Sequence, residues 1–286
     1  MTRNILTVPV HKVEGESSTP LQDLLAVEEP LEIRLGDKTI SITMRTPGHD
    51  IELAAGFLFT EGILRGASQI SGIETAKNTV AVKLKPGVEL DLERLERHFY
   101  TTSSCGVCGK TSMEALRMQG CPVLPGNSPA VTSAVIHDLP AALRRDQSVF
   151  ERTGGLHAAA LFDAAGNLLM VREDVGRHNA VDKIAGWMFQ EKISPVDKIF
   201  YTTGRLTSEM VIKTVRMGIP ILISRSGFTA WGVELARKAN LTLIGRARGK
   251  RFVALAGEDR IVFDQDLAYV EEESAKHRRK AAAHDD

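Results

Sequence analysis

Hydrophobic and polar positions alternate every second residue between residues 29 and 84, as in strands that bury one face. Leu31–Leu35 and Thr39–Met44 alternate in this way on either side of Gly36-Asp37, which predicts two strands joined by a tight turn. Apolar residues at helical spacing then predict a helix over Ile51–Leu64, and a further strand fits Thr79–Leu84. This part of the chain is therefore predicted to be α+β.

Beyond Gly154 the pattern changes to a regular alternation of apolar runs with amphipathic segments. The runs predict strands at Ala158–Phe162, Leu168–Arg172, Lys198–Thr202, Ile219–Ser224 and Leu241–Gly245, and the amphipathic segments predict helices at Asn179–Gln190, Ser208–Met217 and Thr229–Ala239. Strands that alternate with helices are joined by right-handed crossovers and lie parallel. The sequence therefore predicts an α/β domain with a mainly parallel sheet.

These patterns divide the chain into four segments. Residues 1–28 are polar and irregular and are predicted to form a flexible N-terminal arm, while residues 269–286 form a charge-dense tail. Between them lie an N-terminal α+β part, residues 29–150, and the α/β domain, residues 151–268. The α+β part also contains helical patterns at Leu92–Phe99, Ser112–Met118 and Ser133–Arg145, and a polar, glycine-bearing loop at 101–110.

Composition changes this picture through the distribution of charge. The 286 residues are 43% apolar with 36 basic and 36 acidic side chains, which excludes a disordered or fibrous chain and argues against nucleic acid or an anionic membrane as partner. The N-terminus lacks a signal-peptide pattern and no apolar run reaches about eighteen residues, so we expect a cytoplasmic protein. Residues 152–251, however, carry 16 basic and 8 acidic side chains, which is a strongly basic block within a neutral chain.

Two of the three cysteines stand in Cys105-Gly106-Val107-Cys108, inside the polar loop. This spacing suits a zinc ion, a disulfide between the two thiols, or a sulfur atom that they pass on. Zinc would need two more ligands, and only Cys121 and His137 are near, so we predict no metal site. A thioredoxin-type motif would follow a strand, whereas a polar loop precedes this one. Flanking glycines and Lys110 favour exposed, partly ionised thiols and hence nucleophilic sulfur chemistry.

Arginine and glycine recur directly after the predicted strands of the α/β domain. The four turns carry Arg177, Arg205, Arg225 and the stretch Arg246-Ala247-Arg248-Gly249-Lys250-Arg251. The carboxyl ends of parallel strands meet at one edge of a sheet, where helix N-termini present free N–H groups to anions. Guanidinium groups suit phosphates, but neither a Walker A sequence nor a Gly-x-Gly-x-x-Gly fingerprint is present. We therefore predict a site for a phosphate-bearing nucleotide or nucleotide-like cofactor at this edge.

His157 follows two glycines in Gly154-Gly155-Leu156-His157-Ala158-Ala159. Zinc nucleobase deaminases use His-x-Glu followed by Pro-Cys-x-x-Cys, whereas here Ala159 stands at the Glu position and the paired cysteines lie upstream. Deamination is therefore not expected, and His157 fits either a structural or a functional role. Asp174 and His178 lie in the turn that carries Arg177 and are better candidates for function, although Asp174 could serve only to orient its arginine neighbours.

Several of these segments together resemble the FdhD family. They are Ser103–Gly109, Gly154–Ala159, Arg172–Lys183 and the stretch from Thr203-Gly204-Arg205 through Ser224-Arg225. The resemblance runs from Glu32 to Phe263 and leaves only the two ends of the chain outside it. It implies a sulfur carrier protein needed for formate dehydrogenase activity, with a three-layer core similar to the cytidine deaminase fold.

The resemblance also implies a chemistry, a sulfurtransferase with a persulfide intermediate. Cys105 and Cys108 would accept sulfur from a cysteine desulfurase and pass it to the molybdenum or tungsten of a bis-molybdopterin guanine dinucleotide cofactor, bound as substrate before it enters formate dehydrogenase. Arg246–Arg251, placed after the last predicted strand, matches the cofactor-binding stretch of the family, and a homodimer is expected. Two alternatives stay open: a molybdenum-cofactor chaperone that does not handle sulfur, and a thiol-disulfide oxidoreductase.

Overall fold

The computed structural model of the chain describes residues 4–88, 122–126 and 129–264. The Cys105–Cys108 loop, the helices predicted at Leu92–Phe99 and Ser112–Met118, and the tail at 269–286 lie outside the described residues. The strands are β1 (Ile5–Glu14), β2 (Ser17–Ala26), β3 (Glu29–Leu35), β4 (Lys38–Arg45), β5 (Ile70–Ala76), β6 (Thr79–Leu84), β7 (Val131–Thr132), β8 (His157–Asp163), β9 (Leu168–Asp174), β10 (Lys198–Thr202), β11 (Ile221–Ser224), β12 (Thr242–Arg248), β13 (Arg251–Ala256) and β14 (Ile261–Val262). The α-helices are α1 (Asp50–Thr60), α2 (Ser133–Asp146), α3 (Ser148–Thr153), α4 (Arg177–Glu191), α5 (Ser208–Met217) and α6 (Ala230–Lys238). None of these helices is both long and apolar enough to cross a membrane.

The α+β prediction for residues 29–84 is confirmed. These residues form a four-stranded sheet in the order β4-β3-β6-β5, in which β3 and β6 are parallel and the other pairs antiparallel. Helix α1 packs on this sheet, and the core between them contains Leu31, Ile33, Leu53 and Val80. The helix ends at Thr60 and not at Leu64, because the chain turns at Gly62, whose φ of 76° lies outside the helical region.

A six-stranded sheet in the order β13-β12-β11-β10-β8-β9 forms the centre of the second part. The prediction of a mainly parallel sheet is wrong, because β10, β11 and β12 are parallel to one another but β8, β9 and β13 each pair antiparallel to their neighbours. Short connections join β8 to β9 and β12 to β13, and short connections impose antiparallel pairing. Within this sheet, the crossovers through α5 and α6 are the connections that join adjacent parallel strands.

Helices cover both faces of this sheet, which gives three layers. α4, α5 and α6 pack against one face, whose buried side chains include Ala159, Leu161 and Leu222, while α2 packs against the other face. The sequence placed α2 with the N-terminal part, residues 29–150, but its side chains Ile136 and Leu139 lie in the core of the six-stranded sheet. The predicted domain boundary between residues 150 and 151 therefore separates α2 from the sheet on which it packs. The other predicted domain boundaries remain predictions.

Residues 5–26 do not form the irregular arm that the sequence predicted. β1 and β2 pair antiparallel over their whole length, from Ile5 opposite Ala26 to Glu14 opposite Ser17. Pro9 in β1 and Pro20 in β2 interrupt the alternation of apolar positions, and the many polar residues hid the strands. The structure therefore replaces the predicted flexible arm with a β-hairpin.

Helices α1 and α4 cross with their backbones in contact. A Cβ atom at Gly56 would lie 2.6 Å from the backbone nitrogen of Gly186, and a Cβ atom at Gly186 would lie 2.6 Å from the carbonyl carbon of Glu52. Glycine at both positions therefore lets the N-terminal part dock on the helix that follows β9. This crossing fixes the N-terminal part against the middle of α4.

Candidate functional site

The four arginine-bearing turns lie at one edge of the six-stranded sheet, as predicted. β10, β11 and β12 are parallel, and β9 runs in the same direction because both β9 and β10 are antiparallel to β8, which lies between them. The carboxyl ends of these four strands therefore share one edge with the first residue of β8, His157. At this edge Arg205, Arg225, Arg246 and Arg248 are exposed, and Arg177 is half-buried.

The stretch Arg246–Arg251 forms the end of a hairpin. The sequence predicts instead that it lies in a turn after the last strand. β12 continues to Arg248 and has a bulge between Gly245 and Arg248. β13 begins at Arg251, which pairs with Arg248. Gly249, Lys250 and Arg251 are exposed at the tip of the hairpin. Ala247, unlike its neighbours, exposes no side chain here: its side chain is buried in the core, and its carbonyl accepts a hydrogen bond from the Tyr201 hydroxyl at 3.1 Å.

Contacts between neighbouring turns hold the arginines of this hairpin in place. Arg246 has a positive φ of 54°, and its guanidinium lies 5.1 Å from the centre of the Phe228 ring. Its backbone N–H donates to the carbonyl of Ser226 at 3.0 Å. Nε of Arg248 donates to the carbonyl of Arg225 at 2.9 Å. The third and fourth turns therefore form one connected basic surface.

Arg177 is the first residue of α4 and lies across the second turn. A Cβ atom at Gly204 would lie 2.9 Å from Cβ and 3.1 Å from Cδ of Arg177, so glycine makes room for the arginine side chain. Nε of Arg177 is buried and has no hydrogen-bond partner among the described residues. A buried guanidinium donor without a partner is costly, and an anionic ligand would satisfy it.

Two helix N-termini at this edge also carry uncapped N–H groups. α4, after Gly176, and α5, after Thr207, have no side-chain cap, whereas the N-termini of α2 and α6 are each capped by a threonine, Thr132 and Thr229. The hydroxyl oxygen of Thr207 is buried and also has no partner in the described part of the chain. The free N–H groups and the two arginines nearby make this part of the edge suited to a phosphate group.

His157 lies between the first two turns. Its Nδ1 is 3.3 Å from the hydroxyl of Thr203. Burial lowers the pKa of His157, the guanidinium groups of Arg177 and Arg205 lower it further, and Asp174 partly opposes them. The imidazole is therefore neutral at pH 7.

Asp174, a candidate for function in the sequence analysis, is a structural residue. Its carboxylate is fully buried, forms an ion pair with Lys183 at 2.7 Å, and accepts hydrogen bonds from the backbone N–H groups of Thr46 and Gly176. The side-chain amide of Asn179 donates to it at 3.0 Å. These bonds leave it no open side toward a ligand, so Asp174 orients the turn.

His178 contacts the first turn of α5. Its Nε2 lies 3.3 Å from the exposed carboxylate of Glu209. Burial lowers the pKa of His178 to about 4, and the charges of Lys213 and Arg177 add to this effect. His137, considered as a zinc ligand, lies on α2 with its ring 5.4 Å from the Phe252 ring, while Cys105, Cys108 and Cys121 lie outside the described residues.

Comparison with known proteins decides the family. The model of the FdhD/NarQ family matches residues 26–262. This chain belongs to the FdhD/NarQ family. The sulfur carrier protein FdhD of Streptomyces coelicolor is 46% identical over 251 residues, which cover 84% of this chain and 89% of that protein. The sulfur carrier protein FdhD of Sulfolobus acidocaldarius is 39% identical over 260 residues, 90% of this chain and 98% of that protein.

A solved structure agrees with the FdhD/NarQ assignment. A crystal structure from Desulfotalea psychrophila, of a protein assigned as a formate dehydrogenase accessory protein, superposes with a TM-score of 0.74 at 26% identity. The match covers 91% of this chain and all of that protein. The family predicted from the sequence motifs is therefore confirmed.

The longest family motif in the sequence is Arg172–Lys183, and most of its charged side chains have a structural role. Arg172 forms a bidentate ion pair with Glu52 of α1, at 2.6 and 2.7 Å. Asp182 accepts hydrogen bonds from Lys213 at 2.9 Å and from the hydroxyl of Thr60 at 2.6 Å. Sequence reasoning missed this role, although charged residues on the apolar side of a helix are a signal for buried ion pairs. The motif joins α1 to the α/β domain and so positions Arg177.

Proposed function

We propose that this chain is a sulfur carrier protein of formate dehydrogenase maturation. It accepts sulfur from a cysteine desulfurase as a persulfide on the Cys105–Cys108 loop and transfers it to the molybdenum or tungsten of a bis-molybdopterin guanine dinucleotide cofactor. The observation that carries the proposal is the arginine-lined edge with its unpartnered donors, in a chain whose relatives are named sulfur carrier proteins. The proposal includes a cytoplasmic location, a homodimer, and a core similar to the cytidine deaminase fold, all from the family resemblance.

The cofactor carries diphosphate groups and guanine bases, and the edge offers matching chemistry. Arg177 and Arg205 lie beside the free N–H groups of α4 and α5, which suit one diphosphate. Arg225, Arg246 and Arg248 form the connected surface of the third and fourth turns. The exposed tip Gly249-Lys250-Arg251 extends this surface, and the Arg246–Phe228 pair offers a flat face to a purine base.

Sulfur transfer to the loop is a thiolate exchange. The thiolate of Cys105 attacks the outer sulfur of the desulfurase persulfide, the sulfur–sulfur bond of that persulfide breaks, and the desulfurase cysteine leaves as a thiolate. The thiolate of Cys108 then attacks the inner sulfur of the Cys105 persulfide, the sulfur–sulfur bond of the persulfide breaks, and hydrosulfide leaves as the ligand for the metal. The Cys105–Cys108 disulfide that forms is returned to two thiols by a dithiol reductant.

Formate dehydrogenase activity in cells that depend on this protein tests the sulfur-carrying role. The double variant Cys105→Ala with Cys108→Ala should restore no activity, while Cys121→Ala, the matched control for the third cysteine, should restore it fully. Full activity of the double variant would instead favour a cofactor chaperone that handles no sulfur. Reduction of insulin disulfides by the wild-type protein, together with no affinity for GDP, would favour a thiol-disulfide oxidoreductase.

A further inference from the structure

We infer that His157 binds the ligand directly and donates its Nε2–H to a phosphate oxygen of a nucleoside diphosphate held between Arg177 and Arg205. This inference rests on the proposed function, in which the arginine-lined edge binds a diphosphate. It adds a ligand contact from β8, a strand that carries none of the four arginine turns.

The alternation of β8 gives the direction of the His157 side chain. Ala158, Ala160 and Phe162 lie in the core on the α2 side of the sheet, and Ala159 and Leu161 lie in the core on the side of α4 and α5. Since side chains alternate along a strand, His157 shares the face of Ala159. The imidazole therefore lies on the side where the uncapped N-termini of α4 and α5 begin.

The sheet order places His157 between the two arginines. Thr202 at the end of β10 pairs with Ala159, and the next backbone N–H, that of Thr203, donates to the carbonyl of Ala158 at 2.9 Å. Gly204 therefore comes beside His157, and it is Gly204 that the side chain of Arg177 covers. Arg205 follows directly in the chain.

The hydrogen bonds of Thr203 favour a proton on Nε2 of His157 over one on Nδ1. The Thr203 hydroxyl oxygen accepts the N–H of Ala158 at 2.9 Å. The carbonyl of Ala158 already accepts the backbone N–H of Thr203 at 2.9 Å and lies 3.4 Å from the Thr203 hydroxyl, whereas Nδ1 of His157 lies 3.3 Å from that hydroxyl. Nδ1 is therefore the nearer and less occupied acceptor for the hydroxyl hydrogen. A neutral imidazole that accepts at Nδ1 carries its proton on Nε2. Within the described residues no hydrogen bond is made to this Nε2.

The charges around His157 suit a neutral donor. Arg177 on α4 and Arg205 in the β10–α5 turn are positive, and Asp174 on β9 is already bound by Lys183 and Asn179. A third fixed cation between two guanidinium groups would be repelled, whereas a neutral N–H adds a hydrogen bond to an anion without that repulsion. The inferred ligand group is therefore a diphosphate that the two arginines neutralise and that His157 helps to orient.

Two substitutions separate this contact from a structural role. In His157→Gln the amide nitrogen reaches approximately the place of Nε2, so the donor to the ligand is retained and the contact with Thr203 is lost. In His157→Asn the amide reaches approximately the place of Nδ1, so the contact with Thr203 is retained and the ligand donor is lost. Binding of GDP and of inorganic pyrophosphate is measured by calorimetry on the full chain, with guanosine as the ligand that lacks phosphate.

We expect His157→Asn to weaken binding of GDP and of pyrophosphate by about tenfold, as for the loss of one hydrogen bond to a charged group, and His157→Gln to stay near wild type. Equal affinity of all three proteins, or a greater loss in His157→Gln than in His157→Asn, would overturn the inference. Wild-type protein that binds neither GDP nor pyrophosphate would overturn it as well. Persulfide loading of Cys105 is measured on the same variants, so a failure of sulfur transfer is seen separately.

Discussion

Lys183 and Asp174 form an ion pair of 2.7 Å in the interior of the protein, with 1% and 0% of their side chains exposed. The ammonium group also donates to the carbonyl of Thr46 at 2.9 Å, in the turn before α1. The pair therefore ties three segments together: the end of β9, the helix α4 and the N-terminal part. The turn that presents Arg177 is built on this ion pair.

Removing the ammonium group should destabilise the protein strongly. Lys183→Met leaves the Asp174 carboxylate buried without its counter-ion, and we expect a loss of about 3–5 kcal/mol in the free energy of unfolding. The matched control is Lys238→Met, which removes an exposed partner of Glu234 and should cost less than about 1 kcal/mol. Chemical denaturation of both variants measures the difference. Equal losses in the free energy of unfolding would show that the buried ion pair contributes no more to stability than the exposed one.

The crossing of α1 and α4 makes a second prediction about stability. Alanine normally stabilises a helix relative to glycine by about 1 kcal/mol, but Gly186→Ala would place its Cβ against the backbone of Glu52. We expect a net destabilisation of about 1–3 kcal/mol, as for overpacked cores, seen as a lower midpoint in thermal and chemical denaturation. Gly72→Ala, where a Cβ meets nothing within 4 Å, serves as control. A stabilised Gly186→Ala protein would contradict the close crossing.

The half-buried His178 should make stability depend on pH. Its pKa is about 4 in the folded protein, below its ordinary value of 6.5, so the unfolded state binds more protons between these values. The contribution of His178 to the free energy of unfolding is therefore present above pH 6.5 and is lost as the pH falls to about 4. Because carboxylates titrate in the same window, the measurement compares wild type with His178→Gln. The variant should lose less stability on acidification, and identical pH profiles would count against the lowered pKa.

Charge reversal at the hairpin tests the basic surface. Arg246→Glu and Arg248→Glu should each weaken GDP binding by about tenfold or more, because each replaces attraction for a phosphate by repulsion. Arg65→Glu, an exposed arginine in the N-terminal part, makes the same change of charge and should leave binding unchanged. Titration calorimetry at low and moderate salt measures the three affinities. If the Arg65 variant loses as much affinity as the others, the effect is one of net charge and not of this site.

Most elements of the fold, and the edge where the arginines meet, could be predicted from the sequence. β6, β10 and α5 have the predicted bounds, because each combines a clear period of apolar residues with a turn signal at its ends. The hairpin β1–β2 could not be predicted, since proline and polar residues break its alternation. The antiparallel strand β13 was also missed, because it begins at Arg251, the last residue of a basic, glycine-containing stretch whose composition is typical of a loop.

The roles within the motif Arg172–Lys183 could not be predicted from residue types. Asp174 and His178 stand beside Arg177 in the sequence, which suggested function, but the burial of Asp174 depends on Thr46 and Lys183, which are distant in the chain. Conversely, the position of His157 beside Arg177 and Arg205 depends on the sheet order, which places β8 between β9 and β10. Such relationships arise from tertiary pairing, and local patterns do not contain them.

The proposed sulfur-carrying role of the Cys105–Cys108 loop is tested by mass spectrometry of the protein after incubation with a cysteine desulfurase and cysteine. We predict one added sulfur atom on wild type and on Cys121→Ala, mapped by peptide analysis to Cys105 or Cys108 and removed by a reductant. The double variant Cys105→Ala with Cys108→Ala should gain none. A double variant that still accepts sulfur, or a wild-type protein that carries it only on Cys121, would show that this loop is not the sulfur carrier.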